Sequence, residues 1–336
     1  MCMIKGWVEV NGRRLSNAEI KDICTNRPAE MAHFGGEFYI SRGGCQARDA
    51  LGIIPGPVPK GTVICGDSIH MAIEPCPPPL DLEEAIVQSV RLRGDEGVTA
   101  LSGGVDSSLV ARLAGLPCVA VGTAGAHDLR QAAMAAGAMG LLCEQVVLTP
   151  AHIEDALVTV LGLIPDRTPV HASIATTLYC VAEWASSRGY QRVLTGQGAD
   201  ELFGGYARYL STPTLEADLT KDFVALEQQA ARDQAVAGAH GVWFSYPYLD
   251  TRVVRAARAI PAEQKLHKGV RKWPLRTVAE RYIPQKIAWY DKKAMQYGSG
   301  VWKVIRDLTR HNGYKRSVQG YINQISEREH GNRAGR

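Results

Sequence analysis

The chain has no apolar run of the roughly 18 residues that a membrane-spanning helix needs. Its first residues, Met1-Cys2-Met3-Ile4-Lys5-Gly6, lack the apolar core of a secretory signal, so the expectation is a cytoplasmic protein with no membrane partner. Strong charge of either sign is also missing. The 38 Lys and Arg against 34 Asp and Glu leave a net charge of +4, too mild to imply general affinity for nucleic acid but compatible with a polyphosphate site. The eight cysteines (Cys2, Cys24, Cys45, Cys65, Cys76, Cys118, Cys143, Cys180) contain no Cys-x-x-Cys pair, which removes a zinc ribbon and a redox motif from consideration. Most are expected to be small buried residues in a reducing compartment. A metal or cluster site assembled from distant positions is the alternative use, since five of the eight precede residue 77. No internal repeat or low-complexity segment occurs. What is present, 46% hydrophobic and 21% charged residues over 336 positions, is ample for one large domain plus a smaller one.

The boundary between them is expected at Glu74-Pro75-Cys76-Pro77-Pro78-Pro79-Leu80, because a proline run continues neither a helix nor a central strand. Residues 1–75 show alternating apolar patterns at Gly6-Trp7-Val8-Glu9-Val10 and Glu37-Phe38-Tyr39-Ile40, with turns at Asn11-Gly12 and Gly43-Gly44, and read as a small β-rich unit. Residues 76–336 begin with strand and helix alternation. Strands fit Val98 to Leu101, Cys118 to Val121, Gln145 to Leu148 and Arg192 to Thr195. Helices fit Leu82 to Leu92, Asp128 to Met139, Ile153 to Leu161 and Ser173 to Ser187. Alternation of this kind predicts an α/β fold with a parallel sheet. From Leu215 onward the pattern is mainly helical. The tail from Val301, with eight Lys and Arg against three Asp and Glu, reads as a solvated helical end that frays from Gly331.

Ser102-Gly103-Gly104-Val105-Asp106-Ser107-Ser108 lies between the strand at Val98 and a helical pattern running to Leu116. This is the composition of a phosphate cradle: glycines admit the anion to the backbone, successive N–H groups and the helix end face it, and hydroxyls add donors. Asp106 would repel phosphate unless a cation lies between them, which points to Mg²⁺. It is not a Walker loop, as no Gly-Lys-Ser/Thr follows; a plain strand-to-helix turn capped by Ser is the bland alternative. A second motif, Leu194-Thr195-Gly196-Gln197-Gly198-Ala199-Asp200-Glu201-Leu202-Phe203-Gly204-Gly205-Tyr206, follows another strand.

The first motif resembles the PP-loop of ATP pyrophosphatases, which cleave ATP between the α- and β-phosphates. The second resembles the signature of asparagine synthetase-type domains. Tyr246-Pro247-Tyr248-Leu249-Asp250, Gly269-Val270-Arg271-Lys272-Trp273-Pro274-Leu275-Arg276 and Ile283-Pro284 to Lys292-Lys293 match the same family in order, over roughly 81–308. The resemblance implies an adenine nucleotide α-hydrolase-like fold with ATP and Mg²⁺ as cofactors. It implies ATP contacts at Leu101, Ser102, Gly103, Gly104, Asp106, Ser107, Ser108, Val121, Gly122 and Gly196, with Val119 nearby, and metal ligation by Asp106 and Asp200. Lys272 and Lys292 fall where the family places lysines near pyrophosphate. The implied reaction joins a small carboxylate, aspartate or an analogue, to ammonia or another amine through an acyl-adenylate. Sheet core is the bland reading of the valines. A separate glutaminase and a homodimer are the expected partners.

Three departures qualify the resemblance. Cys2 matches the family's N-terminal glutaminase nucleophile, whose own α-amino group serves as base, but the family's glutaminase domain is much longer than residues 1–75. Phe34-Gly35-Gly36-Glu37-Phe38 resembles its Leu-Asp-Gly-x-Phe segment with Gly35 in place of the aspartate, and Ala47-Arg48-Asp49-Ala50-Leu51-Gly52-Ile53-Ile54-Pro55 resembles its Ala-Arg-Asp-x-x-Gly-x-x-Pro segment. The unit reads as a shortened, glutaminase-inactive remnant; the opposing reading keeps Cys2 as nucleophile with rebuilt binding groups. Gln197 replaces a glutamate, and an amide is no base; Glu201 is the compensating carboxylate or a structural residue of the turn. Gly241-Val242-Trp243-Phe244-Ser245-Tyr246-Pro247 loses an acid and an arginine of the family pattern, which suggests a different acyl substrate. A specialised ligase or cyclase, a protein- or tRNA-modifying enzyme and a non-catalytic nucleotide-binding regulator are the alternatives. Trp243, Tyr246 and Tyr248 line a pocket or pack in the core, and His127 and His152 read as surface or packing residues.

Overall fold

A computed structural model describes residues 3–291, 295–314 and 317–334, with residues 296 and 328–334 described in backbone only. Cys2 and Lys292 therefore lie outside the described residues. Two compact units are present. The first comprises Met1–Glu96, Leu194–Gln234 and Ser245–Val278, the second Gly97–Val193, Ala235–Phe244 and Ala279–Arg336.

The first unit holds an antiparallel sheet of strands β1 (Met3–Val10), β2 (Arg13–Arg14), β3 (Gly35–Arg42), β4 (Cys45–Arg48), β5 (Thr62–Cys65) and β6 (Ile69–Ala72), in the order β2-β1-β3-β4-β5-β6. Asn11 and Gly12, at φ of 50° and 82°, supply the two left-handed positions of a tight hairpin turn whose twist suits the flanking strands. Helix α1 (Asn17–Asn26) starts at a capping box in which Ser16 and Glu19 satisfy each other's backbone N–H groups. Its Ile20, Ile23 and Cys24 pack with Val8, Phe38, Ile40, Ala47 and Val63 of the sheet. After the proline run, helix α2 (Leu82–Arg93) begins with a second capping box, Asp81 with Glu84.

The second unit carries the parallel strands β7 (Val98–Ala100), β8 (Cys118–Thr123) and β9 (Cys143–Leu148), paired from Thr99↔Cys118 and from Cys118↔Cys143 to Thr123↔Leu148. With β10 (Arg192–Leu194) and β11 (Trp243–Ser245) the sheet order is β11-β10-β7-β8-β9. The crossovers are helices α3 (Val105–Ala114), α4 (His127–Met139), and α5 (Pro150–Leu161) followed by α6 (Pro169–Ser187). α4 turns Ala132, Ala135 and Ala136 inward, and Ala132 and Ala136 pack with Leu101, Cys118 and Ala120; side chains this small let helix and sheet approach closely. Later helices are α7 (Ala199–Phe203), α8 (Leu215–Gly238), α9 (Thr251–Arg258), α10 (Ala262–Lys265), α11 (Trp273–Ala279), α12 (Gln285–Ala288), α13 (Met295–Gly298), α14 (Val301–His311) and α15 (Val318–Ala334). No helix among the described residues is long and apolar enough to cross a membrane.

One expectation needs correction. Cys45 and Cys65 are not reduced packing residues: they face each other across β4 and β5 and form a disulfide, whereas Cys24, Cys118 and Cys180 are buried thiols as expected. Spacing of 20 residues concealed a pair that the strand register makes adjacent. The helical backbone of α15 continues to Ala334.

Candidate active site

The Gly-rich loop joins β7 to α3. Ser102 N–H donates to Ser107 Oγ at 3.1 Å, and the two hydroxyls lie 2.9 Å apart. The loop thus closes on itself across the first turn of α3. Gly103 has φ 76°, and a Cβ there would overlap the backbone of Gln131; only glycine permits this path. Gly104 precedes the helix with no side-chain cap, and the start of a helix is where an anion is favoured. Asp106 sits in this first turn. Ser108 is fully buried, and its Oγ has no hydrogen-bond partner among the described residues.

Leu101, Val119 and Val121 are buried in the sheet core. Gly122 lies where a Cβ would stand 3.0 Å from Ser299 O, and Thr123 N–H donates to that same carbonyl at 2.9 Å. The chain at 298–300 therefore packs on the end of β8 and needs glycine beside it. His127 is held by the Tyr290 hydroxyl at 2.8 Å and faces Asp128 at 3.3 Å, a packed role rather than a surface one.

In the first unit, Gly196 and Gln197 lie in the loop between β10 and α7. Asp200 Oδ1 is 2.7 Å from Lys272 Nζ. Gly205 is the floor of this pair, since a Cβ there would overlap both Asp200 Oδ1 and Lys272 Cε. Lys272 is almost fully buried and adopts φ 59° directly before α11, a left-handed conformation uncommon for lysine and found where surroundings impose it. A hard carboxylate beside a lysine in a glycine-walled cradle fits Mg²⁺ and phosphate chemistry.

Gln197 Nε2 donates to Gln229 Oε1 at 2.9 Å, Gln229 Nε2 donates to Glu201 Oε1 at 3.3 Å, and Tyr206 OH donates to the same oxygen at 2.5 Å. A carboxylate anchor fixes the orientation of both amides, which leaves Oε1 of Gln197 as its accepting end. Burial, with the Asp200 charge beside it, pushes Glu201 up to about 7. Gln229 was not foreseen: it lies mid-way along α8, and no spacing in the sequence links it to the 196–206 motif. Arg271, within the 269–276 motif, donates to Gly205 O at 2.7 Å.

Tyr246 and Tyr248 are fully buried, Tyr248 packing edge-on against Phe203. They are core residues, not a pocket lining. Trp243 lies under the Arg192 guanidinium. Ser245, where the family pattern has arginine, donates to Glu37. Glu37 also accepts from Trp7 Nε1 at 3.2 Å, Tyr246 N–H at 2.8 Å and Arg93 at 2.8 Å. Arg93 continues to Asp250 at 2.9 Å, Asp250 to Arg252 at 3.0 Å, and Arg252 to Glu9 at 2.7 Å. Burial pulls Arg93 down, and the Glu37 and Asp250 charges more than offset it. Asp250 is lowered because Arg93 and Arg252 outweigh its burial. Gly35, at the position of the family's aspartate, has no room for a side chain: a Cβ would overlap Glu9 Oε1. The Glu9 carboxylate is itself taken by Arg252 and by Gly12 N–H at 2.5 Å.

The family model described as "Asparagine synthase" matches residues 81–230 and 219–328. The chain belongs to the asparagine synthase family. A putative glutamine-hydrolysing asparagine synthetase of Methanocaldococcus jannaschii is 32% identical over 294 residues, covering 74% of this chain and 54% of that protein. Asparagine synthetase B of Escherichia coli is 28% identical over 250 residues, 66% of this chain and 45% of that protein. The enzyme named asparagine synthetase from Asparagus officinalis is 30% identical over 247 residues, 65% and 41%. This family member thus spans about half the length of the curated relatives it matches.

Proposed function

We propose that this chain is an ATP-dependent amide-forming synthetase that activates a carboxylate as an acyl-adenylate. The observation that carries the reading is the self-closed Ser102–Ser108 loop with its uncapped helix start, inside the region matched to the family. In the first half reaction a carboxylate oxygen of the substrate attacks the α-phosphorus, the bond to the β-phosphate bridging oxygen breaks, and pyrophosphate leaves. The loop N–H groups and Lys272 balance the charge that develops on the departing group. Asp106 and Asp200 are the carboxylates that would hold Mg²⁺, which when bound supplies Lewis-acid neutralisation of the phosphates. In the second half reaction an amine nitrogen attacks the activated carbonyl, the bond to AMP breaks, and the amine's proton passes to the departing AMP phosphate or to water. Gln197 receives no proton here: its Oε1 accepts an N–H of the amine and orients it. Lys292 completes the proposed set, with ATP contacts at Leu101, Val121, Gly122 and Gly196.

Aspartate and ammonia are the first substrates to test, following the relatives' printed names. Ammonia is to come from solution or a separate glutaminase, because the crowding of Gly35 by Glu9 leaves no counter-charge for the ammonium end of glutamine. A second reading, a ligase for another acyl group, is favoured by Ser245, whose hydroxyl is bonded to Glu37 where the family pattern carries an arginine.

Pyrophosphate release from Mg-ATP with aspartate, supplied with ammonium or glutamine separately, decides between them. Aspartate-dependent release with ammonium but not glutamine is expected, and Asp106→Asn should reduce it by roughly 10²–10³-fold or more. Unchanged turnover in that variant would remove Asp106 from the metal site. Release only with other carboxylates would establish the second reading.

A further inference from the structure

His152 near the start of α5 and Cys180 and Glu183 on α6 bring an imidazole nitrogen, a thiol sulfur and a carboxylate oxygen within 4.8 Å of one another. Neither histidine nor cysteine belongs to the nucleotide motifs, and all three residues lie in the second unit. Helical spacing explains the meeting: residues three apart share a face, so Cys180 and Glu183 both point at the helix that carries His152. His152 Nε2 is already 2.7 Å from Glu183 Oε2, while Cys180 is buried with 1% exposure. The cluster therefore has one buried soft donor and two partly exposed ones, an arrangement open on the solvent side.

A second observation stands beside it. His240 lies edge-on to Tyr179, with ring centroids 4.3 Å apart, and its Nε2 is buried without a hydrogen-bond partner. Tyr179 and Glu183 are one turn apart on α6. The backbone of His240 is fastened to the same helix through Ser186 Oγ, which donates to His240 O at 2.8 Å. An imidazole nitrogen with no partner is thus held against α6, the helix that carries Cys180 and Glu183.

We propose that His152, Cys180 and Glu183 form a binding site for a borderline-soft divalent cation of the zinc class, with water at the fourth position. Nitrogen, sulfur and oxygen donors in one set suit zinc and disfavour Mg²⁺, which takes oxygen ligands. Tetrahedral zinc places its ligand atoms about 3.3–3.7 Å apart, so Cys180 closes on the other two by about 1 Å while the His152–Glu183 pair, at 2.7 Å, opens by about 0.5 Å, movements within reach of side-chain rotation. The cation replaces the His152–Glu183 hydrogen bond, and the thiol proton passes to solvent.

The test uses the full chain and Co²⁺ as the probe. Cobalt bound to the thiolate gives a near-ultraviolet sulfur-to-metal charge-transfer band, which cobalt at a carboxylate Mg²⁺ site does not. We expect the band at one equivalent, its loss on adding one equivalent of Zn²⁺, its absence in Cys180→Ser, and at least tenfold weaker cobalt binding in His152→Ala and in Glu183→Gln. His152 and Glu183 are partly exposed, so these two variants test the site even if Cys180→Ser does not fold. Cys118→Ser should keep the band. No thiolate band in the parent chain, or a band that persists in both His152→Ala and Glu183→Gln at unchanged affinity, would overturn the proposal.

Discussion

In the antiparallel sheet of residues 3–72, the buried carboxylates are occupied. Glu37 takes four donors, Glu9 takes Arg252 and the Gly12 N–H, and Asp49 accepts from the N–H groups of Leu51, Ile53 and Ile54. At the end of β7 in the parallel sheet the pattern is reversed: the start of α3 has no side-chain cap, and the buried Ser108 hydroxyl has no partner. The difference teaches where to look for chemistry. Polar groups satisfied internally hold a structure together, and a buried hydroxyl without a partner beside a helix start marks where a ligand is favoured. In the N-terminal sheet of the family member, Glu37 and Glu9 hold Tyr246 directly and Asp250 through Arg93 and Arg252.

The largest effect on stability should come from breaking the buried charge network. Arg93→Met removes the cation between Glu37 and Asp250, both of which stay buried, and is expected to cost about 3–5 kcal/mol in denaturant unfolding. A cost under 1 kcal/mol would mean that the network is not a framework.

Next comes the pH profile. Burial first, and then the Glu37 charge, push Asp49 up to about 6 against the pull of its backbone donors. The folded state therefore holds this proton more tightly than the unfolded chain. The Asp49 contribution is fully present below the ordinary aspartate value and is lost as pH rises through about 6, on the order of 3 kcal/mol at most. Asp250, being lowered, acts in the opposite sense and loses its contribution at acid pH. Unfolding free energies measured from pH 4 to 7 should fall with pH in the parent, and Asp49→Asn should flatten that fall. An equal slope in both proteins would assign the titration elsewhere.

The smallest expected effect sharpens the remnant reading. Gly35→Asp restores the family's residue, yet its side chain meets Glu9, so we expect a loss of about 1–3 kcal/mol and no gain of glutamine-dependent product. Glutaminase activity in this variant would show that the N-terminal sheet retains a glutamine pocket.

Hydrophobic periodicity and turn chemistry made most elements legible. The strands at Val98, Cys118 and Arg192 and the helices at Leu82 and Asp128 lie within a few residues of their expected bounds, because each is decided by local spacing and caps. The Ser102–Ser108 loop was legible for the same reason: its glycines and serines act on their own backbone. The resemblance placed Lys272 near pyrophosphate and Asp200 at the metal, and their direct contact came only with the structure. The left-handed conformation of Lys272, and the glycine floor beneath the pair, come from residues 67 positions apart in the chain (Gly205 and Lys272).

The sequence alone determined the α/β order of elements, the hairpin at Asn11-Gly12, the phosphate-type loop and the family, all of which depend on residues near one another in the chain. Tertiary structure decided the Cys45–Cys65 bond, the Gln197–Gln229–Glu201 chain, the crowding of Gly35 by Glu9 and the meeting of His152 with Cys180 and Glu183. Each joins residues from separate elements, and side-chain proximity across elements is set by register and packing rather than by local spacing.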